Sequence, residues 1–249
     1  MQRLRLTLLG GFELRLGKGP AVVFGRKKAQ ALLAYLAVET GNVHLRDKLA
    51  ALLWGDSSDQ HARQSLRQTI RALKQGLARG GVEVLRMGGE TVAVNRAELD
   101  VDVDALKRLV SEGTPEALAR AAELYKGDFL EGLGVQEPRF EEWLITERER
   151  LRELALGALA KLLAHQIQTR VVEPAIHTAG RLLGIDPLQE AVHRELMRLY
   201  VQQGRRGAAL RHYQICVALL QRELGVEPEA ATKELYHEIL RARVARPVV

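Results

Sequence analysis

The chain has 249 residues, enough for one large or two modest domains, and its 47% hydrophobic and 27% charged residues support a buried core and exclude a disordered chain. No apolar run approaches the roughly 18–20 residues of a membrane span; the N-terminus lacks an apolar targeting core and cleavage site; the single cysteine, Cys216, excludes an internal disulfide. A cytoplasmic protein without a membrane partner is expected. The net charge of +6 is unevenly divided: residues 1–98 hold 16 Lys/Arg against 8 Asp/Glu, and residues 99–249 hold 21 against 23. Such asymmetry suggests a polyanion partner for the first part, the alternative being a basic excess that serves only solubility.

Leu4, Leu6 and Leu8, then Phe12, Leu14 and Leu16, alternate on either side of Gly10-Gly11, a hairpin pattern of period two. Residues 20–24 read as a short third strand. A helix follows over Arg26–Glu39, with Ala29, Leu32, Leu33 and Leu36 on one stripe and Gly41 as its stop. A short helix covers Arg46–Trp54, where Trp54 reads as core filling rather than a stacking platform. Gln60–Ala78 is the strongest helix of this region, with Ser58 or Asp59 as its cap. Val82–Asn95 reads as a second hairpin, with Arg86, Met87, Gly88 and Gly89 at its tip. Strands, three helices and a hairpin in this order outline a winged helix-turn-helix over residues 1–98.

From about residue 99 to 249 the pattern is helical throughout. Asp102 or Asp104 caps a short helix over Asp104–Val110, and another covers Pro115–Tyr125. A glycine-containing loop (126–134) follows, then a long helix over Glu137–Gln168, bent or divided near its middle. Further helices are read over 173–184, 188–203, 206–224 and 229–243. Leu154 matches Leu188, Leu162 matches Leu196, Leu163 matches Met197, Ala175 matches Ala209 and Ile176 matches Leu210, a spacing of 34 residues. That is the tetratricopeptide period; a non-repetitive bundle is the alternative. The predicted fold class is therefore mainly α: an N-terminal winged helix-turn-helix followed by an all-α, TPR-like domain.

The helix Gln60–Ala78 carries the clearest functional signal. Leu66, Ile70, Leu73 and Leu77 define one face; His61, Gln64, Arg67, Gln68, Arg71 and Gln75 occupy the other, flanked by Arg63 and Lys74. A solvated helix normally mixes Glu with Lys, yet no acid occurs between Gln60 and Ala78. Arg and Gln suit bidentate pairing with guanine and adenine edges in the major groove. Arg26, Lys27 and Lys28 crowd a helix start, where the macrodipole already disfavours cations; an anion such as backbone phosphate relieves that conflict. Arg86 either reaches an adjacent groove from the hairpin or is solvated.

Enzyme signals fail. The stretch Gly11–Gly19 has five residues rather than four between Gly11 and Gly17, and Gly19 stands where a phosphate loop needs Ser or Thr. Asp100–Asp104 lacks the glycine and glutamate of a calcium loop; its simpler reading is a strand exit, with Asp102 or Asp104 capping the next helix. No Cys/His cluster has zinc spacing, so no metal, cofactor or catalytic residue is expected. His165, His177, His193 and His212 read as packing or surface residues, and Cys216 as structural.

Six segments together resemble the SARP family of bacterial transcriptional activators: GRKKAQALLAYLAVETGNV (25–43), DKLAALLW (47–54), ARQSLRQTIRALKQGL (62–77), GDFLEG (127–132), DPLQEAVHRELMRLY (186–200) and AALRHYQICVALLQRELGVEP (208–228). The likeness covers about residues 3–243; Thr91 departs from it, standing where the family often has an aromatic. The resemblance implies an OmpR-type winged helix joined to a bacterial transcriptional activator domain. It also implies binding to directly repeated promoter sites on double-stranded DNA, with protomers head to tail, and recruitment of RNA polymerase. Some such proteins carry ATPase or sensor domains after this unit; on this reading the chain is a short or truncated member. The rival is a helical scaffold whose winged helix binds protein.

Overall fold

In the computed structural model, which describes residues 3–17, 19–39, 43–78 and 83–242, the alternating leucines of the N-terminus form strands β1 (Leu4–Thr7) and β2 (Glu13–Leu16), paired antiparallel with Leu4 opposite Leu16 and Leu6 opposite Leu14. Leu4, Leu6 and Leu14 are buried on one face, as the period-two spacing requires. The expected third strand at 20–24 is absent; Ala21 makes only an isolated bridge to Arg15. The third strand comes instead from residues 99–101, just where the sequence reads as a strand exit into the helical region. These residues lie parallel to β1, with Leu4 beside Leu99 and Leu6 beside Val101. Asp102 follows them, buried rather than serving as a simple cap. Its Oδ2 accepts the N–H groups of Leu8 at 2.8 Å and Leu9 at 2.9 Å, and its Oδ1 accepts that of Val103 at 2.8 Å. Burial raises this carboxyl above the ordinary range, while those N–H groups pull it back.

Three helices then pack together: α1 (Lys27–Val38), α2 (Arg46–Leu53) and α3 (Asp59–Ala78). Between α1 and α2 lies a two-residue strand, β3 (His44–Leu45). The second hairpin is β4 (Leu85–Gly88) and β5 (Thr91–Val94), and β3 adds to β5, giving an antiparallel sheet in the order β3-β5-β4. This sheet is the wing. The helix stop expected at Gly41, the hairpin start at Val82, the helix end at 243 and Lys18 of the glycine stretch lie outside the described residues. A strand β6 (Leu99–Val101) and helix α4 (Asp102–Glu112) close the region.

The remaining helices are α5 (Pro115–Leu124), α6 (Pro138–Gln168), α7 (Val172–Ile185), α8 (Glu190–Gln202), α9 (Arg206–Leu224) and α10 (Ala230–Arg241). Helix α6 runs unbroken for 31 residues, so the expected division near its middle does not occur. Apolar residues along its length, among them Leu144, Leu151, Leu159 and Leu162, keep it buried on one side. Packing divides the chain into two compact units, Met1–Gly113 with Arg120–Ala155 and Thr114–Ala119 with Leu156–Val249. This is a different partition from the division by charge at residue 98.

In the second unit, α7 packs on α8, α8 on α9 and α9 on α10. The 34-residue spacing reappears as backbone geometry. Arg170 and Gly204 both take positive φ, 57° and 72°. Val171 N–H donates to Gln166 O at 2.9 Å, and Arg205 N–H to Tyr200 O at 2.8 Å. The two inter-helix turns thus repeat bond for bond, which places Ala175 and Ala209 at equivalent, fully buried positions. Small residues at such positions let paired helices approach closely, the physical basis of a stacked repeat. Tyr213 and Tyr236 stack at 4.0 Å, and Arg206 donates to the carbonyls of Ile239 and Leu240, both at 2.7 Å, at the end of α10. The fold is mainly α, a winged helix-turn-helix followed by a TPR-like helical region.

Candidate nucleic-acid interface

Helix α3 is held from behind. Leu66, Leu73 and Leu77 are at most 2% exposed, and Ile70 is 5% exposed. Burying side chains of this size is worth about 1.5–3 kcal/mol each, so the opposite face has a fixed orientation. That face carries His61, Gln64, Arg67, Gln68, Arg71, Lys74 and Gln75, all exposed. Asp59, in the first turn, is the only acid of the helix. Gly76 lets α3 lie against the buried Phe24 ring, whose Cε1 would stand 2.6 Å from an added Cβ.

Arg63 is exposed but engaged. Its Nε and Nη2 donate to the two carboxylate oxygens of Asp47 in α2, at 2.8 and 3.0 Å. That hydrogen-bonded carboxylate raises the guanidinium further above its already high value. The pair fixes the start of α3 against α2, on the rim of a hollow that also takes in Arg46, Arg67 and Glu90.

The second basic cluster lies beside α3. Arg26, Lys27 and Lys28 line one hollow with Trp54, Ser65 and Thr69, so the helix start and α3 share a surface although about 40 residues separate them in sequence. Arg26 and Lys27 are exposed. Lys28 is half-buried, with its Nζ 2.5 Å from Glu137 Oε1 and 5.0 Å from the centroid of the Trp54 ring. Trp54 is 9% exposed and fills the space behind the cluster. Glu137 went unnoticed in the sequence because an acid just before a helix reads as ordinary dipole compensation.

Arg86 does not sit at the hairpin tip. It lies within β4 opposite Ala93, and its Nη2 donates to Asn95 Oδ1 at 2.8 Å. The turn itself is Gly89-Glu90, where Gly89 takes φ 47°. A two-residue turn needing positive φ fits glycine, and it moves the tip three residues beyond Arg86.

No group of three or more His, Cys, Asp or Glu among the described residues is arranged to hold a metal ion, and no described helix is long and apolar enough to cross a membrane. Cys216 is buried, and burial pushes its thiol up to about 11. His193 and His212 face each other, Nδ1 to Nε2, at 2.9 Å, while His193 Nε2 meets the Pro187 carbonyl at 2.9 Å. Burial lowers both imidazoles, His212 to about 4, so they are packed as neutral rings.

Comparison with known proteins gives the class of this winged helix and helical repeat: residues 92–240 match the bacterial transcriptional activator domain. The chain belongs to the SARP family of transcriptional regulators. It is similar to the transcriptional regulatory protein MoaR1 of Mycobacterium tuberculosis, 26% identical over 264 residues that cover 95% of this chain and 79% of MoaR1. It is similar also to the regulatory protein DnrI of Streptomyces peucetius, 27% identical over 253 residues that cover 90% of this chain and 88% of DnrI. With the regulatory protein AfsR of Streptomyces coelicolor it shares 29% identity over 234 residues, 90% of this chain but 23% of AfsR. Among solved structures, EmbR of Mycobacterium tuberculosis in complex with a low affinity phosphopeptide has the same fold, with a TM-score of 0.66 and 21% identity. The match covers 97% of this chain and 66% of that one.

Proposed function

We propose that this regulator binds double-stranded promoter DNA through its winged helix and acts as an activator. The observation that carries this reading is the exposed face of α3, acid-free from Gln60 onward and backed by buried leucines. On this reading Gln64, Arg67, Gln68 and Arg71 reach base edges in the major groove. Arg26, Lys27, Arg63 and Lys74 hold phosphates and set the register, Lys28 lies in the same hollow but tied to Glu137, and Arg86 supports the wing. Residues 1–98 form the DNA-binding part. Residues 99–249 form the activator part, which contacts RNA polymerase and a second protomer on directly repeated sites. The stacked helices with their repeated turns support a protein-contact role for the second part.

The test is fluorescence anisotropy of the full chain on a random duplex across a salt series. The reading expects log K to fall linearly with log salt. Affinity indifferent to salt overturns it in favour of a winged helix that binds protein.

A further inference from the structure

The carboxylate tied to Lys28 comes from outside residues 1–98. Glu137, 7% exposed, lies in the segment that leads into α6. Its Oε1 accepts from Lys28 Nζ at 2.5 Å, and its Oε2 accepts the N–H of Gly55 at 3.1 Å. Gly55 follows α2, and Lys28 is the second residue of α1, so a single side chain joins two elements of the winged helix. Lys28 is at the same time part of the hollow lined by Arg26, Lys27, Ser65 and Thr69.

We propose that Glu137 is a positioning residue that withholds Lys28 from backbone phosphate, so that the basic hollow offers two cations without an ion pair among the described residues, Arg26 and Lys27, instead of three. The inference rests on the DNA-binding reading and deepens it. A phosphate contact contributes affinity by neutralising phosphate with an available cation and releasing the counterions condensed there. The Lys28 ammonium is already neutralised by a carboxylate that is itself shielded from water. Pulling it toward phosphate would leave the Glu137 charge buried without its partner, which is strongly unfavourable. Because phosphate contacts carry no sequence information, the restraint lowers affinity for every duplex alike and leaves the base-reading face of α3 untouched. Residue 137 lies outside residues 1–98, so the strength of DNA binding is set in part from the activator side of the sequence.

The experiment measures the salt dependence of binding to a random duplex by fluorescence anisotropy, using the full chain and two variants. In Glu137→Gln the amide oxygen still accepts from Gly55, but the charge that holds Lys28 is gone. Its log–log slope should steepen by about 0.9, with binding roughly fivefold tighter near 0.15 M salt. The double variant Lys28→Met/Glu137→Met removes both charges and should return the wild-type slope. A Glu137→Gln slope that is unchanged or flatter, with the thermal midpoint preserved, overturns the proposal. So does a double variant flatter than wild type by about 0.9, because Lys28 would then be a working phosphate contact already. The double variant decides the matter even if Glu137→Gln does not fold. Wild-type protein that binds no duplex overturns the DNA-binding reading itself, whereas salt-dependent wild-type binding with either adverse slope overturns only the role of Glu137.

Discussion

Lys27→Ala tests the proposed phosphate contact of Lys27 apart from everything else in the winged helix. Lys27 is exposed at the first residue of α1, and no ion pair involves it among the described residues. It lines the same hollow as Arg26 and Lys28. Its removal therefore deletes a cation without opening a cavity or stranding a buried partner, and the stability change should stay within about 0.5 kcal/mol. Losing one phosphate contact flattens the log–log salt slope by about 0.9. Worked from the same relation, the loss is about 1 kcal/mol at 0.15 M salt, near fivefold, and grows to about 1.5 kcal/mol at 0.05 M. Anisotropy titrations on a specific and a random duplex should show equal losses, because phosphate does not report sequence. A loss confined to the specific duplex, or a slope that does not move, would refute the assignment of Lys27 to the backbone.

Arg67→Ala should behave differently, costing about 1–3 kcal/mol on a specific site and relaxing preference at one base position; selection from a random pool reads this directly. Gly76→Ala should lower the thermal midpoint although alanine is the better helix former by about 1 kcal/mol, because its Cβ would stand 2.6 Å from Phe24 Cε1. Gly157→Ala, with nothing within 4 Å of its Cβ, should raise the midpoint instead. The His193–His212 pair predicts acid sensitivity. The folded state holds His212 at about 4 against an ordinary 6.5, so its contribution is complete above pH 6.5 and is lost as the pH falls toward 4. The loss is about 3 kcal/mol by linkage. Urea midpoints of wild type and His212→Gln at pH 7.5 and pH 4.5 should converge at the lower pH; a constant gap would contradict this.

Helix α3 was legible because its buried face and exposed face separate at a single period, and a basic stretch free of acids from Gln60 to Ala78 is a compositional signal needing no partner to be seen. The 34-residue spacing was legible for a similar reason, since Ala175 and Ala209 repeat a packing requirement rather than a motif. Strand β6 was legible only as a strand exit, not in its pairing. Leu99-Asp100-Val101 is too short to show alternation, and its pairing with β1 is parallel, so no nearby turn announces it. The hairpin was visible but its tip was misplaced, because Gly88 and Gly89 both suit a turn and only the register of Gly88 opposite Thr91 puts Gly89 and Glu90 at the bend. The ties that restrain the proposed interface, Lys28 to Glu137 and Arg63 to Asp47, span 109 and 16 residues. Nothing local in the sequence distinguishes a cation held by such a partner from a free one.

The proposed base reading by the Arg/Gln face of α3 can be tested directly. Sequence selection from a random pool should be carried out with the full chain and with a variant bearing Ala at 64, 67, 68 and 71. The wild type should enrich a defined motif, while the variant keeps weaker, salt-dependent binding and enriches none. Recovery of the same motif by both proteins would contradict the account.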